Sequence, residues 1–215
     1  MAHPVDPTPC RGYVALTFDD GPSERTGRLL EVLRAADAPA TFFNVGRRVA
    51  ENPGLVTQQV SAGHQVANHS YSHVRLTTLS PGLLRRELSR ATAALRPIGP
   101  VRYFRPPFGD YDEIVAAEAE RQGLRLTLWT ADSQDYRLTS LAQIVTRASS
   151  AQPGGIVLFH DGPELTVAAV PRVVDAYRAR GLCMGLLGPS PRPHHPAGSP
   201  GRQFFVQAVA APVPR

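Results

Sequence analysis

Leu16-Thr17-Phe18-Asp19-Asp20-Gly21-Pro22 ends an apolar run in two adjacent carboxylates and stops it with Gly-Pro. On its own it reads as a strand running into a solvated turn, since Asp-Gly and Gly-Pro are ordinary turn chemistry. Neighbouring side chains of an extended segment point to opposite faces, so the two Asp can also serve different tasks. One of those tasks would need a cation.

Outward from this stretch, short apolar runs alternate with helical patterns. The runs 13–18, 40–45, 64–68, 102–105, 124–129, 155–159 and 182–187 read as strands. Between them, Leu29, Val32, Leu33 and Ala36 recur at helical spacing, as do Leu84, Leu88, Ala91 and Leu95. Asn52-Pro53 and Ser80-Pro81 place a capping residue before a first-turn Pro, and Asp112 and Ser140 are further N-cap candidates. Gly63, Gly123 and Gly181 stand where helices should end. Repeated β-α units argue for parallel strands with crossover helices. They do not separate an open doubly wound sheet from a barrel, although the absence of GxGxxG weakens the dinucleotide-binding version.

At 215 residues, with 42% hydrophobic and 19% charged residues, the chain has the size and balance of one soluble domain. No segment has the length of a membrane span. Residues 1–12 lack the apolar core of a secretory signal, so the chain is either cytoplasmic or a mature form with a start Met added. The net charge of +5 comes mostly from dispersed Arg, such as Arg85, Arg86, Arg90 and Arg96. With no basic cluster interleaved with aromatics, nucleic acid is not an expected partner. From Gly188 the composition turns to Pro, Gly and Ser and reads as a tail, in which Phe204 to Val209 is apolar enough to dock as an extra strand. His194 and His195 belong to that tail and not to a metal site.

The two cysteines, Cys10 and Cys183, lie beside the first and last predicted strands. A closed sheet would bring them together, while two unrelated buried thiols are the alternative. The disulfide is favoured, and it implies an oxidising compartment.

Five segments deliver ionisable groups to the carboxyl ends of predicted strands: Asp19-Asp20, His69 and His73 in "NHSYSH", Arg105 in "RPPFGD", Asp132 and Asp135 in "DSQDY", and His160 in "LFHDG". That end is where α/β sheets and barrels carry their active sites. His69 and His73 are four apart, so on one helical turn both imidazoles would face the same way. Two such nitrogens with Asp20 would make a His₂Asp site with an open position, as in catalytic zinc. Asp19 is then left beside it to take a proton.

These segments, in this order, resemble the NodB-homology polysaccharide deacetylases, carbohydrate esterase family 4, and especially acetylxylan esterases and chitooligosaccharide deacetylases. Cys10 to Met184 carries the likeness, from the "CRGYVALTFDDGP" opening to "GLC" near the end. The resemblance implies a distorted (β/α) barrel of about seven parallel strands. It implies an N-terminal extension over 1–12, a catalytic domain over 13–187 and a tail over 188–215. It also implies a divalent metal, zinc or another such as cobalt, on Asp20, His69 and His73. Asp19 would be the base, oriented by Arg105; His160 would be the acid, held by Asp135. The Phe108 backbone N–H would face the oxyanion, and Leu158 would line the acetyl-methyl pocket. Tyr136 stands where Trp is frequent and Phe108 where Tyr is, which should reshape the cleft wall and leave the chemistry alone. Asp132 has no role beyond a turn or cap, and Trp129 reads as core.

The implied activity is removal of acetyl groups from chitin, chitooligosaccharide, peptidoglycan or acetylxylan by a secreted or cell-wall-associated monomer, its signal peptide taken to be removed. A carbohydrate-binding pseudoenzyme would lack a base, ligand or acid, and none is missing. A hydrolase of small cyclic amides on the same fold fits the cysteine pair less well. Short loops at 44–52 and 131–140 suggest an open groove.

Overall fold

The computed structural model describes residues 10–189 and 206–209. The described residues begin with β1 (Gly12–Gly21), α1 (Thr26–Ala35), β2 (Thr41–Asn44), α2 (Gly46–Glu51), α3 (Pro53–Ser61) and β3 (Gln65–Asn68). They continue through α4 (Pro81–Leu95), β4 (Tyr103–Phe104), α5 (Glu113–Arg121), β5 (Arg125–Leu126), β6 (Ala131–Asp132) and α6 (Leu141–Ala148). Then come β7 (Ile156–His160), α7 (Glu164–Ala179), β8 (Leu182–Pro189) and β9 (Val206–Val209).

The parallel strands lie in the order β5-β4-β3-β2-β1-β7-β6, and β8 pairs in parallel with the first residues of β1. This is the curled sheet of a distorted (β/α) barrel. β9 adds antiparallel to β8, as the apolar end of the sequence suggested. Residues 1–9 and most of the Pro/Gly-rich tail, with His194 and His195, lie outside the described residues.

Alternation along β1 explains both faces of the sheet. Val14, Leu16 and Phe18 point outward into the main core beneath α1, α6 and α7, where they meet Phe42, Phe159, Val170 and Tyr177. Phe18 stacks between Phe42 and Phe159 at centroid distances of 5.3 and 5.4 Å. Burying each such ring contributes about 1.5–3 kcal/mol. Ala15, by contrast, joins the smaller inner cluster with Phe43, Ala67, Tyr103 and Ile156. Above it on the same face follow Thr17 and then Asp19. The inner face thus runs from apolar to polar toward the carboxyl ends of the strands.

α3 and α4 begin at Pro53 and Pro81 as the sequence predicts, but Asn52 and Ser80 make no side-chain cap bond. Asp112 does cap α5, accepting from the Val115 N–H at 2.8 Å. Gly63, Gly123 and Gly181 close their helices with positive φ. Residues 44–52 are not a loop: most of them form α2, whose Val49 is buried.

Cys10 and Cys183 form a disulfide with Cα atoms 5.6 Å apart, Cys183 lying opposite Tyr13 in the β1–β8 ladder. It sits at the amino ends of β1 and β8, away from the carboxylates. The bond spans a sequence separation of 173 residues. Closing so long a loop is worth about 3–5 kcal/mol in the chain-entropy model. The Cys10→Ser/Cys183→Ser variant should therefore lose stability of that order in urea unfolding. Its kcat at 25 °C should stay within about twofold of the parent, because the bond touches no group at the other end of the strand.

Candidate active site

Strict alternation would send Asp19 and Asp20 to opposite faces, and the structure breaks it. Asp19 pairs with Phe43 and Gly21 with Asn44, so Asp20 is an extra residue, a β-bulge. Its φ of 69° is left-handed, a region that Asp visits more readily than most residues. The bulge turns both carboxylates toward one imidazole: His69 Nε2 is 3.8 Å from Asp19 Oδ2 and 3.4 Å from Asp20 Oδ1. Gly21 is required beside it, because a Cβ there would lie 2.4 Å from Asp161 Oδ2 and 2.7 Å from Asn44 Oδ1.

His69 and His73 do converge, their ring centroids 5.0 Å apart, but not on a helical turn. Residues 69–75 form a loop in which Ser70 and His73 are left-handed, with φ of 60° and 58°. His69 Nδ1 lies 2.8 Å from the Arg105 carbonyl. A carbonyl only accepts, so Nδ1 carries the proton and Nε2 presents a lone pair. His73 Nε2 stands 3.0 Å from the same Asp20 Oδ1.

Arg105, fully buried, occupies the barrel interior. It donates to Asp19 Oδ1 at 2.7 Å, to Thr17 Oγ1 at 2.8 Å, and to the Thr127 and Leu128 carbonyls at 3.1 and 3.0 Å. Burial draws its pKa down, and Asp19 offsets only part of that pull. Its guanidinium stacks 4.1 Å over the Phe43 ring. Trp129 packs against the inner cluster as expected. It also lies so close to left-handed Gly109 that a Cβ there would sit 2.7 Å from the indole. The preceding Phe108 is itself left-handed (φ 64°), and its ring lies exposed against His73 at 4.8 Å. A bulky residue in that region stores strain, which functional loops often carry.

On the other flank, Asp19 and His160 are register partners of β1 and β7. His160 Nδ1 meets Asp135 Oδ1 at 2.7 Å, while Asp135 Oδ2 accepts from the His160 N–H at 2.8 Å and from the Thr166 hydroxyl. Burial pushes the His160 pKa down, but Asp135 outweighs it, with smaller help from Asp19 and Asp20, and raises it to about 9. Exposed Tyr136 packs edge-on against His160 at 5.1 Å. Leu158, buried on the same strand face as His160, belongs to none of the apolar clusters among the described residues. Asp132 serves a turn, accepting from the Gln134 N–H.

Asp20, His69 and His73 are the group among the described residues that could hold a metal ion, their ligand atoms all within 4.8 Å of one another. The donor set fits a cation. Asp20 Oδ1 is buried without a hydrogen-bond partner although two imidazole nitrogens face it, the arrangement of lone pairs aimed at a shared positive charge.

The sequence pattern of the polysaccharide deacetylase family matches residues 6–127, the stretch that supplies Asp19, Asp20, both histidines and Arg105. The chain belongs to that family. It is 39% identical to the bifunctional xylanase/xylan deacetylase of Cellvibrio japonicus over 84% of this chain, and spans 28% of that protein's length. It is 38% identical to a chitooligosaccharide deacetylase of Bradyrhizobium sp. over 69% of this chain and 70% of the relative. The family 4 carbohydrate esterase of Streptomyces lividans, solved with acetate, superposes with a TM-score of 0.84 at 39% identity, over 95% of this chain and 100% of that one.

Other residues of this deacetylase-family site are not evident from the sequence. Thr17 bridges Arg105 and the Val157 carbonyl, and its place two before Asp19 on one strand face was the available signal. Arg48 of α2 holds the Asp20 carbonyl. Asp161, fully buried, ties the start of α1 to β7 through Ser23 and Thr26. Thr166 and Asp161 act across long sequence separations that no local pattern marks.

Proposed function

We propose that this site removes acetyl groups from an acetylated polysaccharide or oligosaccharide, with Asp20, His69 and His73 holding a divalent cation, zinc or cobalt. The observation that carries the reading is the unsatisfied Asp20 Oδ1 facing the Nε2 atoms of two imidazoles, flanked by a carboxylate and an imidazole each fixed by a buried partner. A bound cation supplies Lewis acidity, polarising an acyl oxygen and acidifying water.

The chain's own groups divide the rest. Asp19, with Oδ1 tied to Arg105, accepts the proton of the attacking water at Oδ2. The Phe108 backbone N–H donates to the oxyanion of the acetyl group. His160, kept cationic by Asp135, donates from Nε2 to the departing nitrogen or oxygen. Leu158 bounds the acetyl methyl, and exposed Phe108 and Tyr136 offer flat faces to sugar rings on either side. One chain supplies every one of these residues, so a monomer suffices. The disulfide supports secretion or a place at the cell wall.

Acetate release from chitooligosaccharide, acetylxylan and peptidoglycan, measured in parallel with zinc present, tests the reading. Release from at least one is expected. No release from any would leave the carbohydrate-binding reading standing in its place.

The alkaline limb of the pH–rate profile should follow His160, since the proton it donates is lost as pH rises. A bound cation offsets the pull of Asp19 and Asp20 but not that of Asp135. The limb should thus lie above 6.5 and not beyond about 9. By linkage, this raised pKa stabilises the fold fully below 6.5 and loses that contribution as pH climbs through about 9. Asp135→Asn should move the limb to lower pH. An unmoved limb would assign it to another group.

A further inference from the structure

Two histidines four apart on a helix are held in register by the helix's own hydrogen bonds. His69 and His73 have no such support, because the segment between them is a loop with left-handed residues. The N–H groups of Ser70, Tyr71, Ser72 and His73 are all satisfied by side chains instead. Asn68 Oδ1 accepts from Ser70 at 2.8 Å, and Ser70 Oγ accepts from His73 at 3.1 Å. Glu87 of α4 accepts the other two through Oε2, from Tyr71 at 3.1 Å and Ser72 at 2.8 Å, and takes the Ser72 hydroxyl on Oε1 at 2.8 Å.

The two imidazoles are not equally anchored. His69 follows β3, its N–H bonds to the Asn44 carbonyl, and its Nδ1 is fixed by Arg105. His73 is 27% exposed at its side chain and reaches the site through a loop whose Ser70 and Tyr71 carbonyls accept from the Gly46 and Arg47 N–H groups of α2 and whose Tyr71 and Ser72 N–H groups Glu87 clasps. We infer that Glu87 is a positioning residue for metal binding: by fixing Tyr71 and Ser72 it sets the place of His73, and with it the affinity for the cation. The inference rests on the proposed role of Asp20, His69 and His73.

Partners that orient metal ligands typically cost 10–100-fold in affinity when removed. Charge must be told apart from position, and the amide does this. Gln retains an oxygen for the two N–H groups and can donate its NH₂ to the Ser72 hydroxyl, but it carries no charge. Asp keeps the charge and withdraws it from the loop.

The experiment is zinc titration of apoprotein in competition with a chromophoric chelator, on wild type, Glu87→Gln, Glu87→Asp and Glu87→Ala, with the apoprotein melting temperature of each. Expected are a 10–100-fold rise in Kd for Glu87→Ala, a smaller rise for Glu87→Asp, and a value within about threefold of wild type for Glu87→Gln. Glu87→Ala binding zinc like wild type would overturn the inference. So would Glu87→Gln binding more weakly than Glu87→Asp, which would assign the effect to charge. If Glu87→Ala fails to fold, that Gln–Asp comparison decides alone. Absence of zinc binding by folded wild type would instead sink the proposed metal site itself.

Discussion

Asp19→Asn should lower turnover by about 10²–10⁴-fold, the usual contribution of a placed general base, and leave cation binding intact. The amide keeps the size of the side chain and an oxygen for Arg105, but it cannot take a proton. Its neighbour on the bulge, Asp20, still faces His69 and His73. The variant also leaves a buried guanidinium without a counter-charge, for which the penalty on breaking such a pair runs up to about 3–5 kcal/mol. The measurement must therefore pair kcat with an unfolding curve and a zinc stoichiometry at a temperature where the variant is folded. Folded protein, bound zinc and lost turnover together support the division of labour. If Asp19→Asn loses zinc as completely as Asp20→Asn, both carboxylates are ligands and the assignment of Asp19 as base is wrong.

Removing the cation should have a still larger effect. Chelation should bring acetate release to the background rate, and zinc or cobalt added back should restore it. His69→Ala should lose activity to the same degree, and metal added back should not rescue it. Its lone pair is the one oriented by the Arg105 carbonyl, and no other described side chain stands in for it. Undiminished activity in protein shown to be metal-free by elemental analysis would sink the mechanism as a whole.

The succession of strands along the chain and the helix faces were legible in the sequence because they rest on local periodicity. Ala15, Thr17 and Asp19 alternate with Leu16 and Phe18 as any half-inward strand does. Longer-range causes were not legible. The run 124–129 reads as a full strand, yet only Arg125 and Leu126 pair in the ladder. The Thr127 and Leu128 carbonyls turn aside to the Arg105 guanidinium, a partner more than twenty residues away. The short β6 leaves too little periodicity to read. The site residues were named from spacing and resemblance, but the geometry that unites them was not foreseen. A helical turn was the natural reading of His69 and His73, since four-residue spacing is helical spacing. The loop replaces it because Asn68, Ser70 and Glu87 take up the backbone donors that a helix would have used internally.

Arg105 contributes its carbonyl to His69 and its guanidinium to Asp19. One residue thus fixes the orientation of a metal ligand with its main chain and that of the base with its side chain. A displacement at the end of β4 would disturb both at once, so substitutions there should show strong epistasis with changes at either His69 or Asp19. Engineering that seeks to retune metal preference while sparing proton transfer should leave this segment untouched and work from the His73 side, where the two functions share no residue.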